Sequence, residues 1–157
     1  MATSHHTHDA SSIAKALTEV EAYCAEQKLK LTPVRRRVLE ILLQEHRAFG
    51  AYEVLSQLQA EGLGSQPPIA YRALDFLVSN GFAHRVENLN GFVACVHPGE
   101  DHAPTLLVCR DCKSVSEAPA SLMTDALGRV AAESGFSVDP SSVEVQGVCS
   151  DCQEATK

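Results

Sequence analysis

Apolar positions recur at helical spacing through the first half of the chain. Ile13, Leu17, Val20 and Cys24 share one stripe of a helix over about 13–28, with Ser12 as its cap. Cys24 lies on that stripe and reads as a buried core thiol. Thr32-Pro33, a cap followed by proline at the first helical position, opens a second helix carrying Val34, Val38, Leu39, Ile41, Leu42 and Leu43. A third helix covers about 51–60, with Val54, Leu55 and Leu58 inward and Gly62 at its end. Ser65-Gln66-Pro67-Pro68 opens a fourth, which stops at Asn80-Gly81. Ala70, Ala73, Leu74 and Leu77 form its buried stripe, so that Pro68, Arg72, Asp75 and Ser79 face away. Phe82–Leu89 and Phe92–Val96 then read as strands joined by a two-residue Asn90-Gly91 turn. Helices followed by such a hairpin predict a winged helix-turn-helix.

After a loop the pattern changes. Thr105–Cys109 and Lys113–Glu117 read as short strands, Ala120–Ser134 as a helix with Leu122, Met123, Ala126, Leu127 and Val130 periodic, and Ser142–Val148 as an alternating strand. The fold class is therefore α+β: a flexible tail at 1–12, a winged-helix domain at 13–96, a hinge loop at 97–104 and a small α/β domain at 105–157. His5, His6 and His8 read as part of the polar tail rather than as a metal site.

Composition places these 157 residues, 45% hydrophobic and 21% charged, among globular chains. No apolar run approaches the roughly 20 residues that cross a bilayer, and the N-terminus lacks a secretory pattern, so the expected location is the cytoplasm. The net charge of −7 argues at first against nucleic acid, but its distribution changes that. Residues 1–90 carry nine Lys/Arg against ten Asp/Glu, whereas residues 91–157 carry four against ten. DNA requires a local basic patch rather than a basic total, and Arg35-Arg36-Arg37 supplies one. These arginines sit in the first turn of their helix, where positive charge opposes the macrodipole, so phosphate contact is a reason to keep at least one of them.

Four of the six cysteines form Cys109-x-x-Cys112 and Cys149-x-x-Cys152. Each knuckle presents two sulfurs, and four thiolates suit a closed, tetrahedral structural zinc site. A redox dithiol would be expected near a βαβ unit, which the pattern does not show. The 36 residues between the knuckles hold a helix and a strand, so the ion would staple the two ends of a domain too small for a rich core.

The hairpin carries a second candidate site. A two-residue turn at Asn90-Gly91 sets His84 opposite His97 and Val86 opposite Cys95, so His84, Cys95 and His97 share one face. His102 follows in an acidic loop and Glu117 ends the strand after the first knuckle. His84, Cys95, His102 and Glu117 offer two nitrogens, a sulfur and an oxygen, a mixture suited to zinc, with His97 an alternative to His102.

Leu31-Thr32-Pro33-Val34-Arg35, Ala51-Tyr52-Glu53-Val54-Leu55, the run from Pro67 to Leu77 and Gly81-Phe82-Ala83-His84-Arg85-Val86-Glu87, with both cysteine pairs, resemble the ferric uptake regulator family. The resemblance is strongest to its zinc uptake regulator branch and covers about residues 15–152. It implies a homodimeric bacterial repressor whose α/β domain dimerises, whose zinc-loaded form binds palindromic operator DNA, and which represses zinc-uptake genes. An iron- or peroxide-responsive regulator of the same family is the nearest alternative. The branch implies His84, Cys95, His102 and Glu117 as regulatory ligands, preferring His102 over His97, and hence two Zn2+ per subunit. Ile69-Ala70 departs mildly from the family's usual Thr-Val before Tyr71-Arg72, and no His/Cys-rich tail follows Cys152.

As recognition helix, the fourth helix would place Arg72 in the major groove, where its guanidinium can fork onto guanine. Tyr71 would add a backbone or thymine-methyl contact, Tyr52 resembles a family DNA-contact position, and Arg35 is the candidate phosphate contact of the triple-arginine run. Four protein ligands at each metal site leave no open position for catalytic water, so an enzyme and a small-molecule substrate are not expected.

Overall fold

A computed structural model describes residues 9–99, 103–119, 121–138 and 143–155. The chain divides into two compact units, Met1–Glu100 and Asp101–Lys157.

The first unit begins with α1 (Ala10–Glu26), which starts earlier than Ser12 suggested. Asp9 is the cap, accepting the Ser12 N–H at 2.7 Å. A carboxylate there satisfies an orphan donor and favours the positive end of the helix, so it displaces the serine further on. Helix α2 (Pro33–Leu43) starts as expected, Thr32 accepting the Arg35 N–H at 3.3 Å. Helices α3 (Ala51–Ala60) and α4 (Pro67–Ser79) follow, and the buried residues of α4 are Ala70, Ala73, Leu74 and Leu77, the predicted stripe. Leu17, Val20, Cys24, Val38, Ile41, Val54, Leu58, Leu74 and Phe82 belong to one core cluster.

The hairpin departs from expectation. Strand β1 (Ala83–Val86) pairs antiparallel with β2 (Gly91–Ala94), setting His84 opposite Val93 and Val86 opposite Gly91. Glu87–Leu89 forms a 3-10 turn and Asn90 is left-handed, with φ 45°, so the connection is four residues rather than two. Gly91 serves close approach, not the turn: a Cβ there would stand 3.0 Å from Ala48 Cβ and from the Phe49 carbonyl oxygen. Phe49 bridges Phe92 through N–H···O bonds of 2.8 and 2.9 Å, adding a third segment to the wing. The register differs from the expected one by an even number of residues, so side chains keep their faces. His84 and Cys95 therefore still share a face, while His97 no longer lies opposite His84.

In the second unit, β3 (Thr105–Cys109) is central, antiparallel to β4 (Val115–Ala118) and parallel to β5 (Val143–Gly147). A parallel pair needs a crossover, and α5 (Ser121–Glu133) lies in it. The parallel crossover corrects the reading that no βαβ-like unit is present. Leu106, Val108 and Val115 are buried. Leu107 and Val145, paired across the sheet, are exposed. Two apolar positions of α5 are also exposed, Val130 at 62% and Leu127 at 37%, as is Phe136 just beyond the helix at 69%. A short α6 (Ser150–Ala155), absent from the sequence reading, carries the end of the second cysteine pair.

Candidate metal centres and nucleic-acid surface

Cys109 ends β3 and Cys112 follows in the turn to β4; Cys149 follows β5 and Cys152 lies in α6. Two backbone features tie this end of the sheet together. The Cys109 N–H donates to the Ser114 carbonyl at 2.9 Å, and the Arg110 N–H donates to the Gly147 carbonyl at 2.9 Å. Lys113 takes a left-handed φ of 63° to turn the first knuckle.

The four sulfurs lie within 4.8 Å of one another, with Cys112 Sγ and Cys149 Sγ 3.7 Å apart. A tetrahedral zinc with bonds of about 2.3 Å needs sulfurs about 3.8 Å apart. None of the four cysteines is disulfide-bonded. The Cys149 N–H donates to Cys109 Sγ at 3.4 Å, and the Cys112 thiol reaches Ser114 Oγ at 3.1 Å. Burial raises the Cys109 thiol, but backbone N–H groups of Cys112, Cys149 and Asp111 outweigh it and bring it down to about 6. Cys152 is pushed up to about 12 by hydrogen bonding to Cys149, by burial, and by its other sulfur neighbours. Four thiols this close crowd negative charge when they ionise. A divalent soft cation relieves that crowding of charge, so the donor set fits zinc.

In the first unit, His84 on β1 and Cys95 just past β2 are both buried, and a ring nitrogen and the sulfur approach within 4.8 Å. Cys95 is fixed by its own N–H, which donates to the Phe82 carbonyl at 3.0 Å. Its sulfur accepts the His97 backbone N–H at 3.3 Å. His97 itself is exposed. In the second unit Glu117 lies half-buried on β4, opposite Leu106. His102 falls outside the described residues, as do His5, His6 and His8.

Arg72 and Tyr71 are exposed on the first turns of α4, and Tyr52 projects from the start of α3 with 70% of its surface accessible. The three consecutive arginines have different fates, which charge counting missed. Arg37 forks onto Glu61 with bonds of 2.7 and 2.6 Å and meets Glu40 at 3.0 Å. The Glu61 partnership holds the guanidinium above its ordinary range. Arg36 pairs with Glu21. Arg35 lies 3.9 Å over the Phe76 ring and donates to the Lys30 carbonyl at 2.6 Å. Among the described residues no carboxylate pairs with Arg35. Glu21 and Glu61 stand 15 and 24 residues from their arginines and carry no local signal, whereas Glu40, three residues from Arg37 on the same helix, is a local pair.

A sequence model of the ferric uptake regulator family matches residues 26–146. The zinc uptake regulation protein of Escherichia coli (strain K12) is 34% identical over 139 residues, covering 88% of this chain and 81% of that relative. A solved structure of a zinc uptake regulator complexed with zinc and DNA is 33% identical, covers 92% of this chain and 97% of its own, and superposes with a TM-score of 0.83. A crystal structure of holo XcZur is 37% identical, covers 88% and 96%, and superposes with a TM-score of 0.77.

Proposed function

The chain belongs to the ferric uptake regulator family, and we propose that it is the zinc-responsive transcriptional repressor of its cell. The zinc-loaded homodimer binds palindromic operator DNA in the cytoplasm and represses zinc-uptake genes. Residues 13–96 form the DNA-binding domain, 97–104 the hinge and 105–157 the dimerisation domain. The relatives named for zinc, one of them solved with zinc and DNA, support this reading.

Each subunit takes two Zn2+. Cys109, Cys112, Cys149 and Cys152 hold the structural ion. His84, Cys95, His102 and Glu117 hold the regulatory one. The observation that carries the second site is the buried imidazole and thiol of His84 and Cys95, within 4.8 Å on the wing. A sulfur in that pair favours zinc over ferrous iron, which prefers nitrogen and oxygen donors. Four protein ligands leave no position for catalytic water, in keeping with a regulator rather than an enzyme.

Bound zinc supplies a tie between ligands on the wing and ligands further along the chain. The rest is done by the protein's own residues. Leu107, Leu127, Val130, Phe136 and Val145 offer an uncovered apolar surface to a second copy. Arg72 and Tyr71 on α4 read bases, Tyr52 on α3 contacts the DNA, and Arg35, held in place by Phe76, meets a phosphate.

Coupling of roughly 1–3 kcal/mol corresponds to a 5–150-fold change in operator affinity between loaded and chelated protein. A gel shift with a duplex selected from a random pool tests it, with Cys95→Ser as the variant. The expected result is loss of the zinc response with the four-cysteine zinc retained. Equal affinity with and without chelator refutes the proposal.

A further inference from the structure

Gly99 is the last described residue before the segment that carries His102. Its φ is +84°, a conformation that disfavours any residue with a Cβ. Space forbids one independently: a Cβ there would stand 2.9 Å from Tyr23 Cε2 and 3.0 Å from Cδ2. The Tyr23 ring, on α1, meets Phe82 edge-on with centroids 5.6 Å apart. Phe82 is fully buried, and its carbonyl accepts the Cys95 N–H at 3.0 Å. One aromatic ring thus rests on the residue that anchors Cys95 and blocks the chain four residues after it.

We infer that Tyr23 and Gly99 are positioning residues for Cys95 as a regulatory zinc ligand: the ring and the glycine hold the backbone that carries it and set the path by which the chain leaves it. The inference rests on the proposal that His84 and Cys95 bind the regulatory ion. Neither residue offers a ligand atom to the metal. Their effect comes from fixing the exit path beforehand, which lowers the ordering entropy that metal binding must overcome. It falls on metal affinity and not on the DNA-contacting surface, which lies on α2, α3 and α4.

The full-length protein, its four-cysteine site filled with zinc, is titrated with cobalt(II), whose bond to a thiolate gives a charge-transfer absorption. Buffered zinc is titrated in parallel against DNA binding. Gly99→Ala is expected to weaken cobalt binding roughly tenfold, the scale of one residue forced into the left-handed region. The zinc midpoint for DNA binding moves in the same direction, while DNA affinity at saturating metal stays unchanged. Tyr23→Phe keeps the ring and behaves like the parent. In a Tyr23→Ala background the alanine at 99 costs less, because its methyl then has room. Unchanged cobalt affinity in Gly99→Ala, or full additivity of the two substitutions, overturns the inference. Should Gly99→Ala lose its four-cysteine zinc, Tyr23→Leu replaces it: weaker cobalt binding is expected, and unchanged binding overturns the inference. His84→Ala separates the two levels. If it binds cobalt like the parent, the regulatory-site reading has failed rather than the positioning role.

Discussion

Replacing Cys152 with serine removes one of four sulfurs that lie within 4.8 Å of one another. The consequence follows from how little else holds the second unit. Its large buried aliphatic side chains among the described residues are Leu106, Val108 and Val115. At about 1.5–3 kcal/mol each, full burial of three such side chains contributes about 5–9 kcal/mol. A structural zinc contributes about 10–16 kcal/mol of apparent binding free energy at neutral pH, so the ion is the larger of the two. The first unit is different. Its core cluster of Leu17, Val38, Ile41, Val54, Leu58, Leu74, Phe82 and others is made from its own residues. Cys152→Ser should therefore lose zinc from the four-cysteine site and melt β3, β4 and β5, while α2 and α4 stay folded. Metal analysis measures the zinc, and amide hydrogen exchange resolved by peptide measures the protection. Loss of the four-cysteine zinc with full protection retained over Thr105–Cys109 would refute the reasoning, since the apolar core would then suffice alone.

Arg72→Ala should cost about 1–3 kcal/mol of discrimination at one base position, measured by binding to a panel of single-base variants of the selected duplex; a uniform loss across the panel makes Arg72 a phosphate contact instead. Glu53 is held below the usual carboxylate range, chiefly by its hydrogen bonds to Arg47 at 2.5 and 3.1 Å. A depressed carboxylate stabilises the fold above its ordinary pKa and loses that contribution as pH falls through the lowered value. Glu53→Gln should flatten the acid side of the first unit's stability curve, read as urea midpoint against pH, and a variant curve running parallel to the parent's below about pH 4 contradicts this.

The four-cysteine centre was legible because each Cys-x-x-Cys knuckle carries its spacing locally, and two knuckles complete a known coordination number. His84 and Cys95 were legible for a subtler reason. The hairpin register was misjudged, since Asn90-Gly91 suggested a two-residue turn and the chain uses four residues. A slip of even number preserves faces, so the pair came together regardless. The demand on Gly91 comes from Ala48 and Phe49, more than forty positions earlier, and no local pattern signals it.

The helices α1 to α4, their buried stripes, the strands and the donor set at Cys109, Cys112, Cys149 and Cys152 were determined by the sequence itself. Side-chain period and short-range spacing act within a turn or two of chain. Tertiary structure decided the rest. It paired Arg36 with Glu21 and Arg37 with Glu61 while laying Arg35 over Phe76. It left Leu127 and Val130 of α5 exposed, though the helix's periodicity matches that of a buried one. Periodicity states that a face is apolar, but what covers that face, or what charge a guanidinium meets, depends on residues brought together only when the chain folds.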